Sequence, residues 1–248
     1  MTVPRQLIQQ LKTAKRVVVL TGAGVSAESG VPVFRDAQTG MWSKFNPEEL
    51  ATPRAFQRNP RLVWEWHERL RQLVSAAKPN PAHEALVELE KLVPEFHLIT
   101  QNIDGLHQRA GSRDVIELHG NVLRTKCSDE NAIVSTWKET GDVPPKCPDC
   151  GGLLRPDIVW FEEPMPEEET DLAFRLSTDC DFFFSIGTSV VVYPAAALPS
   201  EALAGGATVV EINPHPTPFT AQAHFVLAGA AGGVLPELMK ALRDAGRA

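Results

Sequence analysis

The sequence predicts an α/β protein: a parallel sheet with helices on both faces, interrupted by a small cysteine-bearing module. Three observations predict it. Five short apolar runs (residues 17–20, 96–99, 115–118, 182–186 and 209–212) are continuous rather than alternating, which marks strands buried on both faces. Each run gives way to small or polar residues: Thr21-Gly22, Thr100-Gln101-Asn102, His119-Gly120, Gly187-Thr188-Ser189 and Asn213. Between the third and fourth runs lies a segment of different character, with Cys127, Cys147 and Cys150. Ligands of open parallel sheets bind beyond the carboxyl ends of the strands, so the five endings are expected to meet around one crevice. Turn chemistry alone would account for the Gly, Asn and Asp there, but less readily for Gln101 and His119.

Composition bounds the function. A chain of 248 residues is long enough for one large core plus a small insert, and its 43% hydrophobic and 22% charged content is ordinary for a globular protein. A net charge of -7 with no basic stripe argues against nucleic-acid binding. No apolar run approaches the ~20 residues of a membrane span, and residues 1–15 lack the apolar centre of a secretory signal. Four cysteines, three of them grouped, suit a metal site in a reducing compartment; the expected location is cytoplasmic.

In chain order, residues 3–15 read as an amphipathic helix with Leu7, Ile8 and Leu11 on one side. The first strand runs into Gly22-Ala23-Gly24, and Gly22, Gly24 and Ala27 satisfy the loose Gly-x-Gly-x-x-Gly/Ala fingerprint of a Rossmann-like dinucleotide site. On that reading the glycines let backbone N–H groups approach a ligand, and a helix beginning near Ser26 aims its positive end at it. The competing reading is a tight strand-to-helix turn with no ligand. Gly30, Pro32, Gly40 and Pro47 break the following segment too often for a quick β-α-β return, and no ribose-binding acid ends a second strand. Phe34 and Arg35 in that segment belong either to a lid or to a plain surface loop. Helical spacing resumes at Pro47-Glu48-Glu49-Leu50 and over 54–74, with Pro60 near a boundary. Leu62, Val63, Trp66, Leu70 and Leu73 form its stripe, and Trp64, Trp66 and His67 add bulk for core packing or for a pocket wall. Pro81–Leu92 is a further helix, striped by Ala85, Leu86, Leu89 and Leu92.

The chemistry concentrates at the strand ends. His119 is the one histidine expected on a strand end facing the crevice, suited to general-base work near neutral pH. Asn102 and Asp104 can grip an uncharged amide, the carboxylate accepting and the carboxamide doing both. Cys147-Pro148-Asp149-Cys150-Gly151 is a strong zinc-knuckle half-site. Its partner should be Cys127-x-x-Cys, but Glu130 stands where the second thiol belongs. Glu130, Asp129 or water then completes the site, or the module holds its shape without metal. Cys180, before a core strand, reads as a buried small apolar residue.

Together these residues resemble a family. The stretch from Gly22 to Asp36, Thr100-Gln-Asn-Ile-Asp104, Leu118-His-Gly120, Cys147-x-x-Cys150, Leu154-Arg-Pro-Asp-Ile-Val-Trp-Phe161, Gly187-Thr-Ser189 and Ile212-Asn213 stand in the order seen in sirtuins, a likeness covering roughly Leu11 to Leu242. The resemblance implies an NAD-dependent protein-lysine deacylase. It implies a Rossmann-like domain (1–120 and 180–248, with a helical insertion at about 36–75) and a small zinc-ribbon-like module with the substrate loop (121–179). Gly22, Ala23 and Gly24 would line the pyrophosphate, and Phe34 and Arg35 would close over the ribose. Gln101 would hold ribose hydroxyls, and Asn102, Ile103 and Asp104 would form the nicotinamide pocket. Gly187, Thr188, Ser189 and Asn213 would bind the adenosine half. Acyl-lysine peptides would add as a strand between Val159-Trp160-Phe161 and Val190-Val191. His119 and Asn102 would be catalytic: the acyl oxygen attacks the anomeric carbon as nicotinamide leaves, His119 activates a ribose hydroxyl, and water releases lysine and O-acyl-ADP-ribose. NAD is then consumed. Transfer of ADP-ribose to a protein is the alternative on the same fold; a non-catalytic NAD sensor and a dehydrogenase rank below it.

Three departures from the family pattern matter. Cys127, Cys147 and Cys150 lack their fourth cysteine. Phe161-Glu162-Glu163 replaces Phe-Gly-Glu, adding a charge beside the peptide and predicting weaker binding of acidic peptides. Sirtuins that remove succinyl or malonyl groups carry Tyr-x-x-Arg after the cofactor loop; here His67 and Leu70 hold those positions, although Val191-Val192-Tyr193-Pro194 resembles that branch. Leu70 favours neutral acyl groups, unless Arg69 or Arg71 substitutes for the missing cation.

Overall fold

The protein, a computed structural model, is described over residues 3–32 and 50–246. Six parallel strands form one sheet in the order β3-β2-β1-β6-β7-β8, from β1 (Arg16–Thr21), β2 (Glu95–Thr100), β3 (Val115–Glu117), β6 (Phe182–Ile186), β7 (Thr208–Asn213) and β8 (Phe225–Ala228). The five expected strands are all present, and β8 extends the edge beyond them.

Period-two alternation sorts the apolar runs between two cores. Val17, Val19, Leu98, Phe182, Phe184, Val210 and Ile212 point to one face, and Val18, Leu20, Ile99, Phe183 and Val209 to the other. The first face is covered by helices Arg5–Thr13, Pro81–Leu92 and Ala231–Asp244, through Leu7, Leu11, Leu86, Leu89, Leu235 and Leu238. The second is covered by Glu167–Asp179 and Leu198–Ala204, through Ala173, Leu198 and Ala202. Full burial of each Phe in the Phe182-Phe183-Phe184 run contributes about 1.5–3 kcal/mol, enough to fix β6 at the sheet centre.

Two local expectations are corrected. No α-helix begins near Ser26; the chain makes two 3-10 turns, Ala23–Val25 and Ala27–Ser29, ending at Gly30 with φ 78°. Asn80 draws the turns aside, its Nδ2 donating to Val25 O at 2.8 Å and Ser29 Oγ at 2.9 Å, and Pro32 offers no N–H to continue a helix. The 54–74 segment is two helices, Pro53–Arg58 and Pro60–Ala76, because Asn59 ends the first and caps the second, accepting from Leu62 N at 3.1 Å.

Between β3 and β6, strands β4 (Gly120–Cys127) and β5 (Leu154–Ile158) form a separate antiparallel pair. It packs on Pro60–Ala76, where Val63, Trp66, Leu70 and Val74 meet Val122, Ile158 and Trp160. Trp64 meets Cys127, Val134, Cys147 and Leu154 in a second cluster. Among the described residues no helix is long and apolar enough to cross a membrane.

The junction between sheet and small module tolerates only glycine at one point. Gly120 has φ 75°, and a Cβ there would lie 2.3 Å from Asp157 O. Adding left-handed strain to overpacking, Gly120→Ala should cost roughly 2–5 kcal/mol. Gly141→Ala, at φ 84° with nothing within 4 Å, should cost only the backbone part, about 1–2 kcal/mol. Urea denaturation of the two variants checks this; equal midpoints would contradict it.

Candidate functional site

The crevice is built where the ends of β1, β2, β6 and β7 meet. Gly22 N–H donates to Ile186 O at 3.0 Å and Gly24 N–H to Gly187 O at 2.9 Å. These two donors are therefore spent on the β6 turn, while Ala23 N–H between them makes no hydrogen bond among the described residues. A Cβ at Gly22 would meet Thr188 Cα at 2.8 Å, one at Gly24 would meet Gly187 Cα at 2.8 Å, and Gly187 itself sits at φ 61°. The glycines serve first to let two turns nest.

Thr188 is then the hub. Gln101 Nε2 donates to its Oγ1 at 2.9 Å and Asn213 Nδ2 to its carbonyl at 2.6 Å. Gln101 N–H is held by Thr21 O at 3.0 Å, and Ser189 lies half-buried beside the hub. Asn102 and Asp104 are both buried. Asn102 N–H donates to Thr100 Oγ1 at 3.0 Å, and Ile103 accepts from Val122 N at 2.8 Å. Asp104 accepts from Leu106 N at 2.9 Å. Burial lifts its carboxyl above the usual value, partly offset by Leu106 N–H, the Ser26 hydroxyl and Arg109.

Ser26 is the residue the sequence reading missed. Its hydroxyl bonds the Asp104 carboxylate and accepts from Asn102 Nδ2 at 3.1 Å, tying these two buried side chains together. The signal was the proximity of Ser26 to the glycine turn, obscured by its reading as a helix start.

His119 stands across the crevice. Its Nδ1 lies 2.9 Å from Gln101 O. A carbonyl only accepts, so Nδ1 carries the proton and Nε2 keeps its lone pair, with no partner among the described residues. Burial lowers the imidazole pKa, opposed by the bond to Gln101, so the ring is neutral at pH 7.

The small module supplies the other wall. Val159 N–H donates to His119 O at 3.0 Å and Phe161 N–H to Ala51 O at 2.9 Å, bringing 159–161 beside the histidine. Trp160 is buried and Phe161 exposed. Val190, buried at φ 54°, and exposed Val191 lie just beyond the Thr188 turn. His67 is buried, with Nδ1–H on Val63 O at 2.7 Å and Nε2 accepting from Trp160 Nε1 at 3.4 Å. Leu70 is buried in the same cluster as Trp160. Arg71 is committed to Val122 O, Arg124 O and Thr125 Oγ1, and Arg69 is exposed on another side of its helix, so neither places a cation in that cluster. Glu162 takes φ 74°, a glycine-like conformation, and its added charge is paired with Arg54 at 2.9 and 2.5 Å. Phe34 and Arg35 lie outside the described residues.

Cys127, Cys147, Cys150 and Glu130 offer donor atoms all within 4.8 Å of one another. Cys127 Sγ and Cys150 Sγ are 3.4 Å apart. Burial pushes the Cys127 thiol up, but N–H groups of Glu130 and Asp129 and the neighbouring thiols bring it below its ordinary value. Three soft sulfurs and one carboxylate suit zinc. Cys180 is buried and donates to Ser177 O at 3.2 Å, a packing residue.

A parallel sheet with helices on both faces, polar strand ends meeting at one crevice and a small cysteine-bearing module between two of its strands places the chain in the Rossmann-like class. The sequence profile described as the Sir2 family matches residues 22–194, and the chain belongs to that family. An NAD-dependent protein deacylase of Aquifex aeolicus is 53% identical over 212 residues, 84% of this chain and 88% of that protein. A Sir2 homologue solved as an NAD complex superposes with a TM-score of 0.91 at 44% identity, covering 98% of this chain and 95% of the other. A Sir2 complex with a p53 peptide and NAD+ superposes at 0.86 and 34% identity, covering 96% and 98%.

Around this site lie three more histidines that burial keeps neutral: His67 and His83 at about 4 and His107 at about 3. Their unfolded values are near 6.5, so the unfolded chain binds more protons below that pH and stability falls with acidification. From about pH 6.5 down to about 4, each should cost roughly 1.4 kcal/mol per pH unit. Unfolding free energies from urea titrations at pH 7 and 5 should differ by several kcal/mol, and a flat profile would contradict neutral burial.

Proposed function

We propose that the protein is an NAD-dependent protein-lysine deacylase that consumes NAD and releases nicotinamide, O-acyl-ADP-ribose and free lysine. The observation that carries this is His119, a neutral imidazole with Nδ1–H fixed on Gln101 O and Nε2 unprotonated, facing the crevice where the family binds NAD. The curated relatives bear the name of this activity. In this reading Nε2 takes the proton from a ribose hydroxyl, and burial, by lowering the pKa, favours the unprotonated ring that can accept it. Asn102, Ile103 and Asp104, braced by Ser26, hold the nicotinamide amide, and Gln101 holds the ribose. Gly22, Ala23 and Gly24 lie along the pyrophosphate, with Ala23 as the uncommitted N–H. Gly187, Thr188, Ser189 and Asn213 hold the adenosine half, and Phe34 and Arg35 the ribose side.

We assign 1–120 and 180–248 to the NAD-binding domain and 121–179 to the small module. Cys127, Cys147 and Cys150 hold a zinc ion there, which supplies a rigid cross-link rather than chemistry. Acyl-lysine peptides add between 159–161 and Val190-Val191; that a Sir2 relative was solved with a p53 peptide supports a peptide partner, and Val191, exposed with no hydrogen bond among the described residues, supports the mode. Four free cysteines support a cytoplasmic location.

The acyl pocket favours neutral groups. His67 spends both nitrogens inside the wall and stays uncharged, Leu70 is apolar, and Arg71 is committed to β4. A succinyl carboxylate entering this cluster would lose hydration without gaining a partner. The pairing of Glu162 with Arg54 also removes most of the expected penalty for acidic peptides.

The test is an end-point mass-spectrometric assay with NAD and acetyl-, longer acyl- and succinyl-lysine peptides, beside His119→Ala. Deacylation of the neutral peptides with O-acyl-ADP-ribose, lost in the variant, is expected. Leu70→Arg with His67→Tyr should raise desuccinylation relative to deacetylation at least about tenfold, the worth of one good charge-assisted pair. Nicotinamide release with a protein gaining ADP-ribose instead would overturn the deacylase; wild-type desuccinylation exceeding deacetylation would overturn the neutral pocket.

A further inference from the structure

The cysteine module is built from two copies of one turn. In the second, Cys147 N–H donates to Gly152 O at 2.7 Å, Gly151 N–H donates to Cys147 O at 3.0 Å, and Gly151 has φ 79°. In the first, Cys127 N–H donates to Ala132 O at 2.8 Å, Asn131 N–H donates to Cys127 O at 3.1 Å, and Asn131 has φ 56°. The flanking bridges repeat as well: Lys126 with Ile133, and Lys146 with Leu153. Each turn thus has a leading cysteine, a reversed residue after the fourth position, and the same closing bonds. The turns match position for position, and Glu130 occupies in the first what Cys150 occupies in the second.

That equivalence decides what the fourth position does. A knuckle of this geometry points its first and fourth side chains at a common centre, and the Glu130 carboxylate lies within 4.8 Å of all three sulfurs. Asp129, the other acid within reach in sequence, is turned elsewhere. It takes the Ser128 hydroxyl at 2.8 Å and lies so close to Gly152 that a Cβ there would come within 2.5 Å of its Oδ2. Asn131 also fits: asparagine is the side chain other than glycine that most readily accepts the left-handed conformation, so the first turn keeps its shape without Gly.

We infer that Glu130 is the fourth ligand of the metal, making the site three thiolates and one carboxylate oxygen, with Asp129 and water excluded from that role. This rests on the zinc reading above. Glu130 and Cys150 are both exposed while Cys127 and Cys147 are buried, so the site opens to solvent along its carboxylate edge. One hard oxygen among soft sulfurs, on the open edge, makes this zinc more exchangeable than an all-thiolate one.

Metal content and ligand set can be read directly on the full-length protein. Native mass spectrometry should show one zinc per chain. After cobalt(II) substitution, the thiolate-to-metal charge-transfer absorbance should rise by about one third in Glu130→Cys, as a fourth thiolate joins three. In chelator competition Glu130→Ala and Glu130→Gln should lose at least roughly tenfold in zinc affinity, the least that ligand-shell changes command, while Asp129→Ala matches the wild type and Glu130→Cys exchanges more slowly. Glu130→Gln keeps the bulk, so poor folding of the alanine variant does not hide the result. Wild-type affinity in Glu130→Gln, or a loss confined to Asp129→Ala, would overturn the assignment and leave zinc in place. No metal on the wild type would overturn the zinc reading itself.

Discussion

The turns after β1 and β6 lie closer together than side chains permit, and the crevice depends on that contact. Gly22 and Gly24 donate to Ile186 O and Gly187 O, and a Cβ on Gly187 would come within 2.6 Å of Val25 N. The nesting brings Thr188 to where Gln101 reaches its hydroxyl and Asn213 its carbonyl, so β2 and β7 are tied to the same point. Gln101 in turn fixes His119 through its carbonyl. One backbone contact therefore sets the tautomer of the proposed base several residues away. Its energy comes from the sheet beneath, where β1 and β6 pair in register from Val17 with Phe182 to Thr21 with Ile186.

Strand runs were legible because burial on both faces leaves no room for polar residues, and the polar strand endings were legible because each lies where its strand leaves that core. The nesting role of the glycines was not legible, for a physical reason. A Gly-x-Gly turn looks the same in sequence whether it approaches a ligand or another backbone, and here two of its donors face β6. Ser26 was hidden in the same way, since its partners Asn102 and Asp104 come from the loop after β2, far along the chain. The break at Asn59 followed from Pro60, yet the asparagine's double role as end and cap needed coordinates. β8 escaped because Phe225-Val226-Leu227-Ala228 is a four-residue edge strand with Val226 exposed, too short to stand out as a run. The charge at Glu162 was legible, but its partner Arg54 sits on a different element.

Helix Pro60–Ala76 links the cysteine module to the crevice wall around Trp160. At about 100° per residue, Trp64 and Arg71 fall on one side and Val63, Trp66, Leu70 and Val74 cluster on another. Trp64 packs with Cys127 and Cys147 and edge-on to Trp137 at 6.4 Å, while Arg71 lies over the Trp64 ring at 5.0 Å and reaches Val122 O. The neighbouring stripe meets Trp160, Ile158 and Phe56. The helix is therefore packed on one side against the cysteine knuckles and on another against the Trp160 wall. A rigid helix carries the position of Trp64 to His67 and Leu70. The Trp160 ring completes the circuit: Arg155 stacks on it at 3.5 Å, His67 accepts from its Nε1, and its backbone N–H donates to Glu163. Arg155 and Glu163 form a mostly buried ion pair, with Arg155 also donating to Ile158 O on β5. A partner lost from such a pair leaves a charge stranded away from water, which costs more than the pair contributes when intact. This wall is thus held by interactions that tolerate little displacement, and the module that carries the cysteines is also what keeps the Trp160 side of the crevice in shape.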